Sequence, residues 1–319
     1  MIERMGDMRE TILIGSNGGL TGIYLARYYS KLGCFRVIGM DSMEKSAGRF
    51  FVDKQITIPS ADKPTFIEEL INIIKSEHVS YYIPTHSKEI KVISRNEDYI
   101  RSQCNCLFCV SPYATFESLE NKKKATINLL EEGLCAPKIV NLETAVYPII
   151  MKKDIGSGGN GTIRIDNYEV HNAYVSTKSD VTFYELLSGS EYTVDCLFDM
   201  DGQLVGYNNR ERVKTIGGAV IISENENDVN IKRWIEKLAS KWKFRGCVNF
   251  QYILKDDMPY FIDINLRFPA GGLPLTVESG LNIPELLLRI MRNEKVPMGL
   301  VVDTKKTMYR YFEECYEDN

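Results

Sequence analysis

The sequence predicts a mixed architecture, a parallel α/β unit followed by α+β units, and three observations carry that expectation. An apolar run ends in glycines at Gly15, Gly18 and Gly19, and an apolar-periodic stretch follows it. Strand-like and helix-like segments then alternate as far as Pro112, the pattern of a parallel sheet with crossover helices. Beyond Pro137 the strand-like segments are bounded by glycine turns, which suits antiparallel pairing. A chain of 319 residues is too long for one ordinary core, so two or three units are expected.

Residues 10–15 read as a strand, 15–19 as a tight turn and 23–32 as a helix. A second strand over 35–40 ends at Asp41, a helix over 65–76 follows, and a third strand over 81–84 leads towards the end of the first unit near Pro112. Such alternation places the loops at the carboxyl ends of the strands. Residues 116–132, with Leu119, Ile127, Leu129 and Leu130 among many lysines, predict one exposed helix stopped by Gly133 and Pro137. Strands are expected over 147–152, 162–165, 192–198 and 203–207, with Asp201-Gly202 as a hairpin turn. A helix over 229–241 precedes two strands, 246–254 and 259–266, joined through Lys255-Asp-Asp-Met, and a helix over 283–292 closes the pattern. The expected units are 1–113, 114–187 and 188–319. The sequence holds no internal repeat and no low-complexity segment.

The apolar share is 44% and the charged share 26%, as in an average globular protein. A formal charge of -4 provides no basic surplus for a phosphate backbone, which argues against nucleic acid and for a small substrate. Residues 1–10 alternate charged and apolar side chains and do not read as a secretory signal. No stretch approaches the ~18 apolar residues of a membrane span, so a cytoplasmic protein with no membrane partner is expected. Eight cysteines scattered through so large a chain suggest reduced thiols. Cys104, Cys106 and Cys109 are close together, but no second cysteine or histidine pair follows at ligand spacing, and the segment reads as a short buried strand.

Three segments could carry chemistry. In the strand Tyr260-Phe-Ile-Asp263-Ile-Asn265-Leu-Arg267, alternation puts Asp263, Asn265 and Arg267 on one side, and the same parity groups Asn249 with Gln251 on the paired strand. A carboxylate with amide oxygens suits Mg²⁺ shared with phosphates, and an arginine can grip a phosphoryl group through its planar fork. Alone, the pattern also fits a solvated amphipathic strand. Lys152, ahead of the turn Gly156-Ser157-Gly158-Gly159-Asn160-Gly161, places a positive charge beside backbone that can approach phosphates closely. The spacing is not that of a P-loop, so it fits a glycine-rich hairpin lid or a plain mobile loop. The third segment, Tyr184-Glu185-Leu-Leu187-Ser-Gly189-Ser-Glu191, is a strand that stops and restarts, where backbone can meet an adenine edge and Glu191 can bond ribose hydroxyls; a surface turn is the plain alternative.

In their order, these segments resemble the ATP-grasp superfamily, particularly its members similar to the carbamoyl phosphate synthase large subunit and biotin carboxylase. The resemblance implies a pre-ATP-grasp domain followed by an ATP-grasp fold of two α+β subdomains. It further implies that Lys122, Lys152, Ser157, Gly158, Gly159 and Gly161 bind ATP. Asn121 stands before Lys122 where the family commonly has aspartate. The resemblance gives Glu185 and Leu187 to adenine and Glu191 to ribose. Gln251, Asp263 and Asn265 match the metal ligands, for Mg²⁺ or Mn²⁺, with Asp263 where glutamate is commoner. Arg267, with Lys152, matches the catalytic cations.

The implied chemistry is phosphorylation of a carboxylate by ATP and capture of the acyl phosphate by an amine or other nucleophile, with a homodimer as an admissible assembly. Phosphoryl transfer alone, to a small molecule or in the manner of carbamoyl phosphate formation, and a non-catalytic nucleotide-binding regulator are the alternatives. Arg210, Arg212 and Lys214 are candidates for an acidic substrate or form a solvated basic face. Residues 85–89, including His86 and Glu89, face the carboxyl edge of the first sheet, where a substrate contact is expected. Gly15-Ser-Asn-Gly18 with Asp41 also invites an NAD-binding reading, although its glycine spacing is incomplete.

Overall fold

The computed structural model describes residues 9–156, 161–226 and 230–317. Four strands form the first sheet: β1 (Glu10–Gly15), β2 (Phe35–Asp41), β3 (Lys54–Thr57) and β4 (Val79–Ile83). They lie in the order β3-β2-β1-β4, all parallel. Helices α1 (Leu20–Leu32) and α2 (Phe66–Ser76) connect them. Leu13 packs into one core while Ile12 and Ile14 enter another, which is why the strand reads as a continuous apolar run. Both cores also draw on the third unit, so these two parts of the chain share their hydrophobic interior.

Helices α3 (Ser87–Arg95), α4 (Glu97–Gln103), α5 (Tyr113–Leu119) and α6 (Lys122–Glu131) follow. The single helix expected over 116–132 is in fact two. Asn121 is extended rather than helical, and its side chain accepts from Lys124 N as the cap of α6. This break turns Lys122 inward, where its backbone N–H donates to Asp154 O at 2.8 Å. The segment expected as a cysteine-bearing strand makes only a bridge from Leu107 to Tyr81, and all eight cysteines are free thiols.

The small sheet β6-β5-β7 is antiparallel: β5 (Ile149–Lys153), β6 (Ile163–Ile165) and β7 (Val181–Glu185). A helix the sequence pattern did not announce, α7 (Tyr168–Thr177), joins β6 to β7, with Asn167 as its cap. The core of this unit is the separate cluster Ile149, Met151, Ile165 and Phe183.

The large sheet holds β8 (Ser190–Phe198), β9 (Leu204–Ile216), β10 (Ala219–Asn225), β11 (Gly246–Lys255), β12 (Met258–Asn265), β13 (Leu300–Val301) and β14 (Thr307–Tyr309). Its order is β12-β11-β8-β9-β10-β14, with β13 beside β9. The turn between β11 and β12 puts both Asp256 and Asp257 at positive φ, the two-residue geometry that matches strand twist. That turn fixes the register from Lys255 opposite Met258 as far as Tyr252 opposite Phe261, where a one-residue irregularity at Ile262 shifts it and brings Asp263 opposite Gln251. Helices α8 (Ile231–Lys241), α9 (Leu273–Glu278) and α10 (Ile283–Met291) pack around the sheet. Among the described residues no helix is long and apolar enough to cross a membrane.

Candidate active site

The β11–β12 register sets Gln251 directly opposite Asp263 and Asn249 opposite Asn265. Adjacent antiparallel strands therefore present one carboxylate and three amides on a single face. Gln251, Asp263 and Asn249 line a cavity of about 450 Å³ whose other walls come from β5, β7 and β9. Lys152 of β5 reaches into it, donating to Ile262 O at 3.3 Å, and its ammonium lies 5.8 Å from the centre of the Tyr184 ring. Burial lowers the Lys152 pKa, and the Asp263 carboxylate opposes that shift.

Lys122 joins the same cavity from the start of α6, with Nζ 3.6 Å from Asp263 Oδ1 and a hydrogen bond to Gly156 O at 2.8 Å. Asn265 is buried; its Oδ1 accepts from Arg267 Nη2 at 3.1 Å, and its Nδ2 has no partner among the described residues. Arg267 also donates from Nε to Ser87 Oγ at 2.8 Å and from Nη1 to Phe268 O at 3.0 Å. Burial lowers its pKa against the pull of Asp263, which leaves a guanidinium charged at any ordinary pH.

Glu185 and Leu187 line the rim where the chain passes from the small sheet to the large one. Glu185 is fastened to Lys138 twice: its backbone N–H donates to Lys138 O, and its carboxylate accepts from Lys138 N. Gly189 completes the break at φ 150, and a Cβ there would lie 2.1 Å from Leu254 O. Glu191 lies 2.7 Å from Arg212 Nε, a charge contact whose N–H is not aimed at the carboxylate, and Arg212 Nη2 donates to Gly218 O.

The three basic positions of β9 have different fates. Arg210 is buried in a two-bonded ion pair with Asp195, at 2.9 and 3.0 Å, and its guanidinium lies under Gly272, where a Cβ would come within 2.2 Å. It forms part of the cavity wall with its fork already committed to a carboxylate. Arg212 is held by Glu191, and Lys214 is exposed. Thr276 extends the Arg210–Asp195 network by donating to Asp195 Oδ2 at 2.6 Å, which ties α9 to the sheet.

A second concavity of about 700 Å³ opens at the carboxyl edge of the first sheet, between the 15–19 turn and residues 85–89. Glu89 lies at its floor, 2% exposed, accepting from Tyr82 Oη at 2.5 Å and Ser16 Oγ at 3.0 Å. Burial raises its pKa to about 7. A Cβ on Gly15 would come within 1.8 Å of this carboxyl, which accounts for the first glycine of the turn. Asp41 Oδ2 accepts from Gly18 N at 2.9 Å and so braces the turn. His86 caps α3 by accepting from Lys88 N, and burial with the nearby Arg267 charge lowers its pKa.

Of the expected site residues, Lys122, Lys152, Glu185, Leu187, Glu191, Arg210, Arg212, Gln251, Asp263 and Arg267 share the first cavity, and Glu89 belongs to the second. Asn265 stands behind Arg267. Ser157, Gly158 and Gly159 lie outside the described residues. Gly161 begins the described return of that turn at φ 82, with its hypothetical Cβ 2.8 Å from Lys153 Cγ. Sequence reasoning missed Asp195, whose signal is a carboxylate in the middle of an apolar strand, and it did not assign Ser87 to Arg267.

Residues 177–315 match the family model described as "ATP-grasp in the biosynthetic pathway with Ter operon". Residues 12–106 match the model described as "PylC-like, N-terminal domain". The matches thus assign residues 177–315 to an ATP-grasp family and residues 12–106 to a PylC-like N-terminal domain. It is 22% identical over 309 residues to the carbamoyl phosphate synthase large chain of Clostridium beijerinckii, an alignment covering 89% of this chain and 28% of that protein. It therefore spans less than a third of that relative's length. Among solved structures, N5-carboxyaminoimidazole synthetase from Staphylococcus aureus, complexed with ADP, has a TM-score of 0.75 at 15% identity, covering 95% of this chain and 82% of that one. Biotin carboxylase from Campylobacter jejuni has a TM-score of 0.69 at 18% identity, covering 90% and 72%. The likeness to carbamoyl phosphate synthase and biotin carboxylase expected from the sequence thus extends over nearly the whole chain.

Proposed function

We propose that the protein is an ATP-dependent ligase that activates a small carboxylate as an acyl phosphate and joins it to an amine or other nucleophile, releasing ADP and phosphate. The observation that carries this reading is the position of Arg267. It lines both the cavity of the Lys152–Asp263 face and the concavity of the first sheet. A phosphoryl group passing from one to the other would pass this guanidinium. In this reading the three units 1–113, 114–187 and 188–319 supply the carboxylate pocket, the nucleotide cover and the phosphate floor.

The donor set fits Mg²⁺. Asp263 is a carboxylate whose cationic neighbour, Lys122, stands off at 3.6 Å, and Gln251 faces it across the strand pair. Mg²⁺ bound to nucleotide needs only one or two protein carboxylates, the rest of its shell being phosphate and water. Asp263 and Gln251 would hold it, and it would neutralise charge on the phosphate oxygens; Asn265, expected as a third ligand, has its Oδ1 on Arg267 instead. Lys152 and Arg267 balance the charge that develops as a carboxylate oxygen bonds to the γ-phosphorus and the bond to ADP breaks. The nucleophile then attacks the acyl carbon and phosphate leaves. Glu185 and Leu187 serve adenine, and Glu191 serves ribose once it turns from Arg212.

The test is ADP release from Mg-ATP with a panel of bicarbonate, acetate, succinate and the standard amino acids, using hydroxylamine to trap acyl phosphates as hydroxamates. Carboxylate-dependent ADP release is expected, falling about a hundredfold or more in Asp263→Ala/Asn265→Ala. An unchanged rate in that double variant would overturn the site. ADP release without any acyl product would turn the reading towards a kinase.

A further inference from the structure

Arg267 has two sets of partners. Asn265 Oδ1 and Phe268 O belong to its own segment and move with it. The third partner, Ser87 Oγ, is 180 residues away in sequence, on the first turn of α3 in the other unit. These bonds use one N–H on each guanidinium nitrogen, so of the five donors the two left are one on each terminal nitrogen, without partners among the described residues. Each terminal nitrogen thus keeps one donor for an anion.

We propose that Ser87 is a positioning residue that sets the Arg267 fork for phosphoryl transfer and makes its alignment depend on the loop lining the carboxylate pocket. The proposal rests on the ligase reading above. Ser87 is held from below and from the side. Thr85 Oγ1 donates to Gly15 O at 2.8 Å, His86 caps α3, and Glu89, one turn into that helix, is fastened to Tyr82 and Ser16. The same loop contributes Thr85, His86, Lys88 and Glu89 to the wall of the second concavity. A molecule seated there presses on the segment that carries the Ser87 hydroxyl, so occupancy is transmitted to Arg267 through one hydrogen bond. Without that bond the guanidinium keeps only partners from its own segment and can swing as a unit with them. The cavities would then stay intact, while the charge that meets the transferring phosphoryl group would lose its direction.

The test compares Ser87→Ala, Ser87→Thr and the unaltered protein. Alanine is the best helix former at the first position of α3, so the fold is expected to be kept. Carboxylate-dependent ADP release in Ser87→Ala should lose about tenfold or more in kcat while KM for ATP stays within about twofold, since a misdirected guanidinium costs most where phosphoryl charge develops, in the transition state. Ser87→Thr should restore most of the rate. The Arg267 Nε–H resonance, assigned by its disappearance in Arg267→Lys, should shift and exchange faster in Ser87→Ala and recover in Ser87→Thr. An unaltered protein without carboxylate-dependent ADP release overturns the ligase reading, and the Ser87 role with it. An active protein whose rate or Nε–H signal is indifferent to Ser87→Ala overturns the Ser87 role alone, as does a loss that appears equally in KM and is not rescued by threonine.

Discussion

Replacing Glu89 by glutamine should flatten part of the protein's stability profile against pH. Burial raises the Glu89 pKa from 4.5 to about 7, and hydrogen bonds from Tyr82, Ser16 and the backbone of Thr85 and His86 offset only part of that rise. Between these two values the unfolded chain has released the proton while the folded chain keeps it, so stability falls as pH rises through the window and levels off above it. The shift corresponds to roughly 3 kcal/mol, a sizeable share of the stability of an ordinary domain. Urea unfolding at pH values from about 4.5 to about 8 reads the effect directly. The Glu89→Gln variant cannot ionise and should lose less stability than the unaltered protein across that range. Glutamine can keep the Tyr82 bond through its oxygen, while its amide must face hydroxyl and backbone donors, so the variant should be the weaker protein at the acid end. The reasoning fails if the difference between the two proteins is the same at every pH.

Lys152→Met should leave folding intact, because the buried ammonium already pays a desolvation cost that a methionine avoids, but it should weaken Mg-ADP binding about tenfold or more by calorimetry. Unchanged affinity would remove Lys152 from the nucleotide site. Arg210→Met and Asp195→Leu should each destabilise the protein by about 3–5 kcal/mol, since each leaves a buried charge unpaired, whereas the double variant should cost much less than their sum. Additive losses in urea unfolding would mean that the pair does not act as a unit.

Much of this architecture is legible because its signals are local. The glycines after β1, the Asp201-Gly202 turn and the alternation along β12 each depend on neighbours within a few residues. Asn121 carried a local signal too, but helix-forming residues on both sides masked a cap that splits one expected helix into α5 and α6. The short strands β3, β13 and β14 have little periodicity of their own and exist through partners elsewhere in the sheets. Arg210 shows the limit for side chains. Sequence displays a basic stretch on β9, whereas the structure separates a buried pillar, a residue engaged with Glu191 and an exposed lysine, because burial is decided by the strands on either side.

Arg267 joins these two kinds of information. Its alternation with Asp263 and Asn265 is written in the strand, and that alone suggested a phosphate site. Its bond to Ser87 arises only when the first sheet and the large sheet share their cores, with Leu13 and Ile38 in one cluster with Val248 and Phe250. The same packing brings the second concavity against the arginine. Loosening that shared core from the first sheet, for example with Leu13→Ala, should therefore reduce kcat before it empties the nucleotide cavity, as well as costing about 2–5 kcal/mol of stability. Parallel loss of nucleotide affinity and kcat would instead mean that Arg267 is held by its own strand, and that contact between the two units has no part in directing it.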